Sequence, residues 1–124
     1  MKMWLAMCLA AALLFSAGCF APPDPARESV GELQGQLQSA KVIVNPVDRN
    51  QALENIAMSA IDSDYPVVAF DATVAISDNS QRDEAAAYCA RKMDSIGNRD
   101  AAEDFVRLIK NSVLRDQLHV EFAS

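Results

Sequence analysis

Beyond residue 28 the apolar positions of the chain alternate between two spacings, one typical of a helix and one of a strand. Residues 28–40 (ESVGELQGQLQSA) put Val30, Leu33, Leu37 and Ala40 on a narrow helical stripe. Gly31 and Gly35 each cost that helix about 1 kcal/mol relative to alanine, so it needs a surface to dock on. Residues 41–45 (KVIVN) are rich in β-branched side chains and stop at Pro46, which suits a short strand. Asp48 with Gln51 then offers a capping pair, and Leu53, Ile56, Ala57, Ala60 and Ile61 follow on one helix face. That helix is expected to end within 62–64, because Pro66 disfavours helical geometry just before it.

Residues 67–76 (VVAFDATVAI) alternate, with Val68, Phe70, Ala72, Val74 and Ile76 on one side and Val67, Ala69, Asp71, Thr73 and Ala75 on the other. This pattern predicts the longest strand, central in a sheet. After the turn cluster at 77–80, Ser80 with Asp83 forms a capping box for a helix to about Ile96, which Gly97 can end. Ala85, Cys89, Met93 and Ile96 share its apolar face. Asp100 with Glu103 opens a further helix with the stripe Ala102, Phe105, Val106, Ile109 and Val113. Residues 118–122 (LHVEF) alternate again, with Leu118, Val120 and Phe122 inward. The order of helix, strand, helix, strand, helix, helix and strand predicts an α+β fold, a small sheet of three strands covered by three to four helices. If the first two strands pair in parallel, the helix between them makes a right-handed crossover. One domain over 28–124 is expected, with no internal repeat.

Ahead of that domain, residues 3–15 (MWLAMCLAAALLF) form an uncharged apolar run behind Lys2. The run has the length of a secretory signal, whereas a spanning helix needs about 20 apolar residues. Ser16, Ala17 and Gly18, all small, lead into Cys19. This arrangement resembles the lipobox of bacterial lipoproteins, and the resemblance covers residues 1–19. It implies a signal peptide over 1–18 and acylation of Cys19. With Phe20 rather than aspartate behind the cysteine, it further implies transport to the outer membrane. Ser16 departs from the pattern, which most often has leucine three residues before the cysteine. Cleavage after Gly18 or Ala21 without lipidation is one alternative, and retention of 3–21 as an uncut anchor is the other. Residues 19–27 form the lipidated cysteine and a tether, since the prolines of APPDPA favour extended backbone.

The formal net charge is −6, and the hydrophobic fraction of 51% is raised by the alanine-rich leader. Phosphate backbones repel an acidic chain, so nucleic acid is not expected as a partner. The pair Arg91 and Lys92 reads as a solvated helix face.

With Cys8 in the leader and Cys19 acylated, Cys89 is the remaining thiol and His119 the single histidine. A thiol hydrolase has to bring these two into contact. The pattern opposes that, because Cys89 is centred on an apolar stripe and His119 points outward from its strand. A Cys19–Cys89 disulfide requires an unacylated Cys19. Asp62, Asp64 and Asp78 lack the spacing and glycine of a calcium loop, and no His/Cys spacing suits zinc. They read as helix-end and turn chemistry, and no metal or cofactor is expected. Asp71 and Thr73 are expected on the solvated face of the central strand. Residues 67–93, read as strand, polar turn and alanine-rich helix, are similar to one half of the BON domains of envelope proteins, without that family's glycine–valine features. The likeness concerns fold and not activity.

The expected function is a non-enzymatic envelope lipoprotein, held at the membrane through Cys19. Its acidic domain binds an envelope protein as an assembly, exclusion or stabilising factor. A periplasmic ligand- or lipid-binding module is the alternative, and a thiol-dependent hydrolase comes third. A pocket lined by Phe70, Tyr88 or Phe105 favours a ligand, whereas a flat apolar patch at Val30, Leu33 and Leu37 favours a protein partner.

Overall fold

The computed structural model describes residues 29–124; the leader, Cys19 and the tether lie outside the described residues. Six helices follow one another there: α1 (Val30–Lys41), α2 (Pro46–Asp62), α3 (Pro66–Ala75), α4 (Asn79–Ser95), α5 (Arg99–Leu108) and α6 (Ser112–Ala123). No strand occurs among the described residues. The expected α+β fold with its three-stranded sheet is therefore corrected to an all-helical one.

Each strand prediction fails for a physical reason. In 67–76 the buried residues are Val68, Ala69, Ala72, Thr73 and Ile76, a helical spacing concealed in an apolar run that fits either period. Pro66 is the deciding residue, because at the start of α3 its missing N–H costs nothing and its fixed φ suits the helix. Thr73 is not on a solvated sheet face; its hydroxyl is buried and donates to the Ala69 carbonyl at 2.7 Å. Over 118–122 the buried residues are Leu118 and Phe122, four apart, while Val120 is 72% exposed. The link at 42–45 leaves Val44 exposed, and Pro46 opens α2 rather than closing a strand.

The helices form a repeat, which corrects the expectation that none is present. Helices α2 and α4 both have 17 residues and begin 33 residues apart. The ten-residue helices α3 and α5 also begin 33 apart, as do α4 and α6. The sequence trace is Ile-x-Asx-x-x-x-Arg-Asx, at 43–50 (IVNPVDRN), 76–83 (ISDNSQRD) and 109–116 (IKNSVLRD). The first Asx caps a helix: Asn45 accepts from the N–H groups of Val47 and Asp48, Asp78 from that of Gln81, and Asn111 from those of Val113 and Leu114. The arginine folds back, so that Arg49, Arg82 and Arg115 donate to the carbonyls of Ile43, Ile76 and Ile109 at 3.3, 3.2 and 3.2 Å.

The second Asx reaches forward to the next link. Asn50 accepts from the Ser77 N–H at 3.0 Å, and Asp83 accepts from the N–H groups of Lys110 at 2.9 Å and Asn111 at 3.0 Å. Asp83 is therefore a buried tie and not part of a capping box with Ser80, whose expected capping role belongs to Asp78. The tie also divides the single helix expected from Asp100 to Val113 into α5 and α6. Helix ends repeat too: Asp64 (φ 63°) and Gly97 (φ 82°) hold the left-handed closing position, and the N–H groups of Tyr65 and Asn98 return to the carbonyls of Ala60 and Met93.

Among the described residues each helix touches only those one or two places away along the chain. This gives two layers, α1, α3 and α5 against α2, α4 and α6, in the stacked manner of helical repeat proteins. Leu33, Leu53, Ile61, Ile76, Met93, Phe105, Ile109 and Leu118 fill the space between them. The glycine-weakened α1 is held there by Leu33, Leu37 and Ala40.

Removing the carboxylate in Asp83→Ala leaves two N–H groups of the α5–α6 link without an acceptor and is expected to cost about 3 kcal/mol. Asp83→Asn, which keeps an acceptor as Asn50 does, should lose less. Urea unfolding of the two variants checks both values, and equal stability of Asp83→Ala and the parent rejects the tie.

Candidate functional site

The sequence-derived chemical groups do not assemble. Cys19 lies outside the described residues. Cys89 is fully buried on α4, with its Sγ 3.9 Å from the Ala57 carbonyl. Burial pushes its thiol up to about 12, opposed in part by a hydrogen bond with Thr73. His119 is exposed on α6 rather than on a strand, and no hydrogen bond joins it to Cys89. Asp62 accepts from the Tyr88 hydroxyl at 2.8 Å and pairs with Lys92 at 3.5 Å, while Asp78 caps α4 and Asp64 closes α2. The neighbouring Asp62 carboxylate raises the Tyr88 pKa. Among the described residues no three His, Cys, Asp or Glu side chains converge on a metal position.

Three surface features among the described residues stand out. On the α2, α4 and α6 layer, a shallow groove is lined by Met58, Tyr88, Arg91, Lys92 and Leu114 among others. Three of its polar side chains are already engaged by carboxylates at its margins: Tyr88 and Lys92 with Asp62, and Arg91 through two 3.1 Å contacts with Glu121. That ion pair holds the Glu121 carboxyl below its ordinary range. Arg91 and Lys92 thus serve helix-to-helix pairing on an exposed face. A wide, open furrow between α1 and α2 is bordered by Gln36, Ser39 and Asn55 and floored by Ala40, Ile43, Ala52 and Ile56, with no aromatic side chain among them.

The third feature lies on the opposite layer. Between α3 and α5 a cleft of about 280 Å³ is lined by Pro66, Val67, Phe70, Ala101, Asp104 and Phe105. The rings of Phe70 and Phe105 meet at 5.7 Å with a 59° tilt, so the cleft floor is aromatic. Val67 is 73% exposed and Val74 49% exposed, and with Phe70 they continue the cleft as an apolar stripe along α3. Of the two discriminating features, the cleft lined by Phe70 and Phe105 is present, whereas the flat apolar patch at Val30, Leu33 and Leu37 that favours a protein partner is absent because Leu33 and Leu37 are buried under the stack. The alternation over 67–76 conceals the α3 stripe, because it fits a strand as well as a helix. The signal that reveals it is Pro66 at a helix start.

No family model, no curated protein and no solved structure matches this chain.

In a chain with Cys8 and Cys19 replaced by serine, Cys89 is expected to react with a thiol reagent at pH 8 only as fast as the protein unfolds. Rapid labelling of the native chain contradicts this burial. The folded thiol keeps a proton that the unfolded chain releases above its ordinary value of 9.0, so this group's contribution to stability falls as pH rises from about 9 toward 12.

Proposed function

We propose that the chain is a lipid-anchored protein of the bacterial envelope whose helical stack binds another envelope protein without catalysing a reaction. The observation that carries the binding role is the repeat itself. Stacked helix pairs leave both layers accessible along their length, and such architectures characteristically use those surfaces to hold other proteins. The lipid anchor rests on Ser16, Ala17, Gly18 and Cys19 behind an apolar run, together with the prolines that separate that cysteine from α1. By the same resemblance, Phe20 directs the anchor to the outer membrane. No helix among the described residues is long and apolar enough to cross a membrane.

The competing small-ligand reading draws on the Phe70 and Phe105 cleft. At about 280 Å³ the cleft falls just below the 300–1,000 Å³ usual for such sites. It suits one bulky side chain of a partner better than an enclosed ligand. A role in assembly, exclusion or stabilisation of an envelope complex follows from binding alone.

Cells fed labelled palmitate are expected to mark the full chain and to lose that mark in Cys19→Ser; retained label rejects the anchor. Crosslinking in intact cells is expected to trap one dominant heterologous adduct. A chain that stays monomeric under conditions that trap known envelope complexes rejects the partner.

A further inference from the structure

We propose that the outward face of α3 is the docking surface for one amphipathic, basic helix of the partner protein. This rests on the protein-binding reading above and specifies the chemistry of the partner. The repeat provides an internal comparison. Val67, Phe70, Asp71 and Val74 of α3 precede Asp100, Glu103, Asp104 and Arg107 of α5 by one repeat, and all four of these α5 residues are exposed. One repeat earlier, α1 presents the exposed polar residues Gln34, Gln38 and Lys41. Leu37, the α1 counterpart of Phe70, is buried, so the layer accepts charged or polar side chains at the positions of Val67, Asp71 and Val74, and these two valines of α3 are not demanded by the fold. A helix that is apolar on every side is normally covered. Helix α3 has one charged residue in ten, yet Val67 and Val74 face solvent.

Charge selects what covers it. Asp71 lies within the stripe and Asp104 on the cleft wall, while Asp100 and Glu103 are exposed nearby on α5. The basic side chain set among them is Arg107, 3.2 Å from Asp104 and 3.8 Å from Glu103. Asp71 and Asp100 form no ion pair or side-chain hydrogen bond among the described residues. A second copy of a chain with net charge −6 would set these carboxylates against each other, and an anionic lipid surface would meet the same repulsion. Lysine or arginine flanking the partner's apolar residues turns that repulsion into attraction. The distance from Val67 to Val74 is two turns, about 10 Å along the axis, which matches a helix with anchors at i, i+3 or i+4, and i+7. The cleft beside Phe70 and Phe105 receives the bulkiest anchor.

The probe is a fluorescent amphipathic peptide of about four helical turns, leucine on one face and lysine on the other, titrated into the full chain by anisotropy. Binding is expected, and a counterpart with glutamate for lysine should not bind. Val67→Asp with Val74→Arg installs what α5 carries in the same register and leaves net charge unchanged. An unchanged thermal melt verifies its fold. This double variant should weaken the lysine peptide about tenfold or more, through lost apolar contact with no change in overall charge. Asp100→Asn with Asp104→Asn should weaken it too and flatten its salt dependence. Equal affinity of parent and double variant overturns the proposal, as does equal binding of both peptides. A dimer seen by sedimentation and abolished in the double variant also overturns it, by assigning the face to a second copy. In cells, an adduct that survives the double variant sinks this surface while the partner reading stands; no adduct from the parent sinks the partner reading itself.

Discussion

The stack depends on one recurring polar connection, the Arg–Asx pair one turn into α2 and α4. Its arginine reaches back to the carbonyl of the isoleucine ahead of its own helix, and its Asx reaches forward to backbone N–H groups of the next link. One dipeptide thus satisfies backbone groups at both ends of a helix pair, which a short link between helices leaves without backbone partners. Asp83 makes the connection most completely, since its two carboxylate oxygens hold two successive N–H groups. The stop between α5 and α6, and with it the start of a new repeat, depends on that carboxylate.

Between these ties the layers are joined by small side chains. Ala57, Ala60, Ala69, Ala72, Ala85, Ala86 and Ala90 are fully buried, and Cys89 belongs to the same set. Small residues permit close helix approach and reserve the larger side chains for the gaps where three helices meet. The cysteine is thus a packing residue, and the raised pKa of its thiol follows from where it is packed. Polar residues on the outer surface pair across helices, as in Arg91 with Glu121, and such exposed pairs contribute only modestly to stability.

The sequence shows the cores of α1, α2, α4 and α5 because their stripes, from Leu33 and Leu37 to Phe105 and Val106, carry a single unambiguous period. Helix α3 fails that test. Its residues are apolar on both sides, so alternation and helical spacing coexist over 67–76 and only Pro66 separates them. The repeat is concealed for another reason: it is written in polar residues whose roles are distant in sequence. Asn50 meets Ser77 and Asp83 meets Lys110 across a link, and nothing in local capping logic connects such positions. Reading Ser80 with Asp83 as a capping box gives Asp83 a short-range role that its long-range partners already occupy. Misassigning α3 also hides the candidate surface, because Val67, Phe70 and Val74 form one face only when the segment is helical.

The restriction of contacts to helices one or two places apart has a kinetic consequence. Most of the ordering entropy is recovered within a helix pair, so the stack belongs to the low-contact-order class that folds quickly. Folding can begin at the α2–α3 or the α4–α5 pair and spread outward, with the Arg–Asx ties joining successive units as each link closes. By the same logic α6, held chiefly through Leu118 and Phe122, can open without melting α1 to α3. For a chain exported unfolded, as proposed above, such a route to the native state leaves no early contact waiting for a distant segment.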